Sequence, residues 1–178
     1  MTPTLGASAA APGSGLSARR SVLALVSAPL LLAACGFQLR QAPHFAFNSI
    51  YIGTSSALGK ELRRSISSGD SVRVVDGAPD TAQVVLDVLT EQREKVVVGL
   101  NTSGQVREFQ LRTRLKFKLR TPQGKELIPE TELLQQRDIS FNESAVLAKE
   151  SEEGLMYRDM QTDIVQQLMR RLAAVKSL

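Results

Sequence analysis

Across residues 108–120 the chain alternates without a fault. Phe109, Leu111, Thr113, Leu115, Phe117 and Leu119 fall between Glu108, Gln110, Arg112, Arg114, Lys116, Lys118 and Arg120. A two-residue period is that of a β-strand, so the segment belongs in a sheet with one greasy face and one basic face. Thr121-Pro122-Gln123-Gly124 reads as a turn, and residues 133–141 supply a partner strand with Arg137, Ile139 and Phe141 on one side. A long hairpin is expected. The rest of the fold must cover its greasy face.

Two helices are available to do so. Leu58, Leu62 and Ile66 recur every four residues with Lys60, Arg63 and Arg64 between them, the pattern of a short amphipathic helix stopped by Gly69. Met156, Met160, Ile164, Leu168, Leu172 and Val175 carry a longer stripe. Acids Glu150, Glu152 and Glu153 lie near its start and Arg170, Arg171 and Lys176 near its end, as the helix dipole prefers. Asn142, Ser144 and Ser151 compete as its cap, and Gly154 weakens its first turn. Shorter β-rich runs occupy residues 49–52, 72–75, 84–89 and 91–98, after a loop-like stretch at 41–48. Single-sided stripes on both helices predict an α+β fold: a small mixed sheet of about four main strands with two helices packed on one face. The other face need not be dry.

The N-terminus carries a different message. Residues 1–17 are rich in Ala, Gly, Pro, Ser and Thr without apolar periodicity. Arg19 and Arg20 form a positive region before an apolar run at 22–32, too short for the roughly 20 residues of a membrane-spanning helix. Leu32-Ala33-Ala34-Cys35 follows, resembling the lipobox of lipoprotein precursors. Residues 1–34 are therefore expected to be a removable signal peptide and Cys35 the lipid-attachment site, with one domain over residues 35–178. Two or three acyl chains on such a cysteine give stable membrane attachment, which one chain does not. Gly36, where Asp would retain a lipoprotein at the inner membrane, points to the outer membrane. The arginine pair lacks the Ser or Thr of a twin-arginine signal, so ordinary Sec export is expected.

Composition narrows the chemistry. With one cysteine and one histidine, His44, the chain cannot form an internal disulfide and falls short of a usual zinc set. Trp is absent and aromatics make up 4%, a poor supply for stacking on single-stranded nucleic acid. No nucleophile elbow, metalloprotease helix, phosphate loop or dinucleotide fingerprint stands out, and no cofactor or enzymatic activity is expected. The formal charge of +4 favours anionic partners. The ladder of Arg112, Arg114, Lys116, Lys118 and Arg120 sets like charges about 7 Å apart along one strand face. Either an acidic ligand screens it, or water and cross-strand acids such as Glu130 or Glu132 do.

Three stretches carry a family likeness. They are Cys35-Gly36-Phe37-Gln38-Leu39-Arg40; Gly104-Gln105-Val106-Arg107-Glu108-Phe109-Gln110-Leu111; and Asn142-Glu143-Ser144-Ala145-Val146-Leu147-Ala148-Lys149-Glu150-Ser151-Glu152-Glu153 leading into the last helix. In this order they resemble the LPS-assembly lipoprotein family, LptE. The resemblance implies an outer-membrane lipoprotein that plugs the lumen of the LptD β-barrel and helps deliver lipopolysaccharide to the outer leaflet. It implies lipopolysaccharide contact through Lys149 of the Leu-Ala-Lys block and through a basic loop residue, where this chain has Thr102. Arg107 or Arg112 would then compensate, and Arg114 and Lys116 would extend the cationic surface toward phosphate. A different class of function, an independent periplasmic lipid carrier, would require a sizeable apolar cavity.

Overall fold

The structure, a computed structural model, describes residues 44–69 and 71–178. The expected signal peptide, Cys35 and Gly36 lie outside the described residues. Among the described residues there are five strands and two α-helices: β1 (Ser49–Ile52), α1 (Ala57–Ser67), β2 (Arg73–Val75), β3 (Val84–Leu100), β4 (Val106–Arg120), β5 (Glu126–Ser140) and α2 (Val146–Ala173). Strand order is β2-β1-β3-β4-β5, one more strand than expected. β1 is parallel to both β2 and β3, whereas β3, β4 and β5 form an antiparallel meander. A parallel pair needs a crossover, and α1 supplies the one between β1 and β2.

Local chemistry places α1. The Ser56 side chain accepts from the Gly59 amide at 3.1 Å, capping the helix. Gly59 is required there, since a Cβ would stand 2.8 Å from the Thr54 carbonyl oxygen. The Arg63 guanidinium donates to the carbonyls of Ile52 and Thr54 at 2.8 and 3.0 Å and pairs with Asp76 at 3.0 Å, fastening the helix to the ends of β1 and β2. Phe47, in the loop-like stretch before β1, is buried in the core, a role its irregular surroundings did not announce.

β3 departs most from expectation. The two runs at 84–89 and 91–98 are one strand with a bulge at Leu89, where the register to β4 slips between Val88 and Thr90. An extra residue exchanges the faces of everything beyond it. Val84, Leu86 and Val88 face the helices before the bulge; afterwards Glu91, Arg93 and Lys95 do so, opposite Leu115, Thr113 and Leu111 of β4. β5 also begins earlier than residue 133 and pairs with β4 along nearly all its length.

The apolar stripe of α2 is divided accordingly. Ile164, Leu168 and Leu172 join α1 and the parallel end of the sheet in the main core, with Leu58, Leu62, Ile66, Leu86, Leu115, Phe117 and Leu119. Met160 forms a separate small cluster with Leu111 and Ile139, flanked by Phe109, Met156 and Tyr157. Between the clusters runs a polar seam. Arg93 donates to the Gln161 side-chain oxygen at 2.8 Å, and Gln161 and Thr162 donate to the two carboxylate oxygens of Glu61 at 2.6 and 2.8 Å. Thr113 lies opposite Arg93, 2% exposed, its hydroxyl without a hydrogen-bond partner.

Candidate functional site

The sheet separates the residues singled out in the sequence. Arg112, Arg114 and Lys116 project from the face away from the helices, whereas Lys149 lies in the first turn of α2 on the other side. Arg107 is exposed and lies where the β3–β4 register slips, between the pairs formed by Val106 and Glu108. Lys149 therefore belongs to the helix side, and no single surface unites it with the ladder.

On the outer face each cation of the ladder stands in register with polar or acidic neighbours. Arg112 lies between Glu94 and Gln136, Lys116 between Thr90 and Glu132, and Lys118 opposite Asp87. Arg114 pairs with Glu132 at 2.7 Å, Lys116 approaches Glu132 and Glu130 at 3.7 and 3.9 Å, and Arg120 pairs with Asp87 at 2.7 Å. Arg112 donates to Gln110 at 2.8 Å. Cross-strand acids thus relieve the like-charge repulsion, at about 0–1 kcal/mol per partly exposed pair. The bulk charge shrinks as well. Of the 22 basic residues, Arg19, Arg20 and Arg40 precede residue 44 and no acid does, so 19 bases face 18 acids from there onward.

The helix side carries a small cleft of about 60 Å³ where the first turns of α2 lie over the far end of the β3-β4-β5 meander. Phe109, Ile139, Phe141 and Val146 supply its apolar lining and Lys95, Lys149, Glu150 and Glu153 its charges. Phe109 and Phe141 meet edge to face at 5.3 Å. The Lys149 ammonium donates to Ser140 Oγ at 3.1 Å and to Glu152 at 2.8 Å. Lys95 pairs with Glu153 at 2.6 Å and lies over the Phe109 ring at 4.4 Å. The bulge at Leu89 brings Lys95 to this side, and counting alternation from Val84 would have put it on the wrong one.

Thr102 occupies the exposed turn between β3 and β4. Asn101 organises that turn: its side-chain oxygen accepts from the amides of Ser103 and Gln105 at 2.9 Å each, and Gly104 takes φ +79°. Tyr157, on α2 beside the cleft, donates its hydroxyl to the Glu94 carbonyl at 2.8 Å. Burial first, then the Glu153 carboxylate, raises its pKa above the usual phenol value; Arg93 beside it opposes the shift and Glu94 adds to it. His44 is an exposed residue ahead of β1. Among the described residues no group of three or more metal-ligating side chains converges, and no helix is long and apolar enough to cross a membrane.

Residues 45–172 match the model of the family described as LptE, Lipopolysaccharide-assembly. The chain belongs to the LptE family. Its similarity to the LPS-assembly lipoprotein LptE of Pectobacterium atrosepticum is 28% identity over 163 residues, covering 88% of this chain and 86% of that one. Among solved structures it resembles lipoprotein B from Nitrosomonas europaea, with TM-score 0.68 and 34% identity over 78% of this chain and 91% of that one. The fold is shared with the rare lipoprotein B of Shewanella oneidensis, at TM-score 0.61 and 22% identity, covering 71% and 95% of the two chains. LptE membership assigns the chain a role in lipopolysaccharide transport and assembly and identifies it with bacterial envelope lipoproteins.

Proposed function

We propose that the mature protein, anchored through acylated Cys35 in the outer membrane, occupies the lumen of an LptD-like β-barrel and contacts lipopolysaccharide on its way to the outer leaflet. The observation that carries this reading is the family match over residues 45–172 together with the position of Lys149. The Leu-Ala-Lys block sets that ammonium at the mouth of a cleft with an aromatic floor, a pairing of cation and apolar surface suited to a phosphorylated lipid. The cleft is the better ligand surface of the two. Cations on both surfaces are held by acids that a phosphate would have to displace, Arg114, Lys116 and Arg120 on the outer face and Lys149 and Lys95 at the cleft. The cleft in addition sets its cations beside an aromatic pair, Phe109 and Phe141. Arg112, on the outer face, and Arg107, exposed near the β3-β4 turn, are left as secondary contacts.

An independent lipid carrier is less well supported. The cleft of about 60 Å³ has room for no more than a few waters, and the larger hollows beside it and at the β4-β5 turn, about 330 and 510 Å³, lie open on the surface rather than inside the fold.

The test is extraction of the full-length protein from cell envelopes in mild detergent. Stoichiometric co-purification with a large β-barrel, lost together with acylation in Cys35→Ser, is the expected result. Recovery of the acylated chain as a barrel-free monomer would refute the reading. For the ligand surface, Lys149→Asp is expected to abolish salt-sensitive lipopolysaccharide binding while Arg114→Gln with Lys116→Gln leaves most of it; the reverse would move the site to the outer face.

A further inference from the structure

The roof of the cleft is lightly secured. Residues 146–153 of α2 cover it, with Leu147 79% exposed and Val146 40% exposed. The small cluster nearest this segment has Leu111, Ile139 and Met160 as its buried members, cut off from the main core by the Arg93–Gln161–Glu61 seam. The other ties are polar and partly exposed: Lys95 to Glu153 at 2.6 Å and Lys149 to Ser140 at 3.1 Å. Such contacts hold weakly in water.

Gly154 follows immediately. A Cβ added there would meet nothing within 4 Å, so close packing does not require a glycine. A glycine inside a helix lowers the cost of bending or unwinding it at that point. Beyond Gly154, Tyr157 bonds to the Glu94 carbonyl and Gln161 to Arg93, fixing the rest of α2 to the sheet. The helix is therefore weakly held before the glycine and firmly held after it.

We propose that residues 146–153 form a lid hinged at Gly154, which lifts to admit an acyl chain of a phosphorylated amphiphile onto Phe109, Ile139 and Phe141. Lys95 is the second cation of this site. As the lid lifts, Lys95 leaves Glu153 and Lys149 leaves Ser140; Lys149 then exchanges Glu152, its neighbour on the lid, for the phosphate, to which both ammonium groups turn. The closed cleft is far too small for an acyl chain, so opening is a condition of binding there. The inference rests on the lipopolysaccharide reading and adds to it the hinge and the role of Lys95.

The experiment uses the full-length chain in detergent. Amide exchange without ligand is expected to be at least tenfold faster in residues 148–153 than in 160–170; equal protection of the two would overturn the lid. Lipid A, dephosphorylated lipid A and inorganic phosphate are then the binding probes. Gly154→Ala favours the closed helix and is expected to slow lipid A association about fivefold, whereas Glu153→Gln, which frees Lys95, accelerates it. Lys95→Met should weaken lipid A binding about tenfold while leaving dephosphorylated lipid A unchanged. Thermal melting of each variant separates these effects from misfolding. Inorganic phosphate alone should leave exchange unaltered; if it opens the lid, the acyl-chain requirement is wrong. Wild-type binding of lipid A that is indifferent to Gly154→Ala, Glu153→Gln and Lys95→Met would sink the inference and spare the lipopolysaccharide reading. Failure of wild type to bind lipid A at all would sink both.

Discussion

Thr113→Val is expected to stabilise the protein. Thr113 sits on the helix-facing side of β4 between Leu111 and Leu115, both fully buried, and its hydroxyl has no partner. A buried polar group left unsatisfied costs about 1–3 kcal/mol. Valine has the same branched shape and keeps the β-strand preference, while its added methyl contributes about 0.8 kcal/mol of burial. Taking the lower part of each range, the net gain should be about 1–2 kcal/mol. For a domain of this size that is a rise of roughly 3–8 °C in Tm. Urea and thermal unfolding of the two proteins, followed by circular dichroism at constant protein concentration, measure it directly. A loss of stability greater than about 0.5 kcal/mol would refute the reasoning, since it would mean that the hydroxyl is satisfied, for instance by a bound water in the seam.

Three further outcomes follow from the same packing. Leu168→Ala in the main core should cost about 2–5 kcal/mol in global unfolding, whereas Met156→Ala beside the small cluster should cost less and raise amide exchange chiefly in residues 146–157. Gly59→Ala brings a Cβ within 2.8 Å of the Thr54 carbonyl oxygen and should destabilise the protein by about 1–3 kcal/mol, read as a lower urea midpoint. Tyr157 has a raised folded pKa, so the folded state holds its phenolic proton more tightly than the unfolded chain; the stability this contributes is present below about pH 10 and is lost as pH rises through the folded value. Alkaline unfolding curves should show this fall in the wild type and lose part of it in Tyr157→Phe.

Of the cations singled out in the sequence, Lys149 alone lines the cleft. Lys149 was identifiable from its Leu-Ala-Lys block, and the ladder from strict alternation with the acids that now neutralise it. Lys95 was not. Its side of the sheet depends on the bulge at Leu89, and a single inserted residue leaves no mark in a β-rich run that the alternation of either half does not equally allow. Gln161 was hidden in the same way, between Met160 and Ile164 on a stripe that looks uniformly apolar, although its amide joins Arg93 to Glu61 and cuts the core in two.

The α+β class, both helices, the β4-β5 hairpin and its turn were determined by the sequence itself, because periods of two and of about 3.6 residues are properties of the local backbone. Which cations meet on one surface was decided by the tertiary structure. Lys95, Phe109, Phe141 and Lys149 are brought to one cleft by strand register, a bulge and the path of α2 over the sheet. Those are outcomes of long-range pairing and packing, whose energies depend on residues distant in the chain.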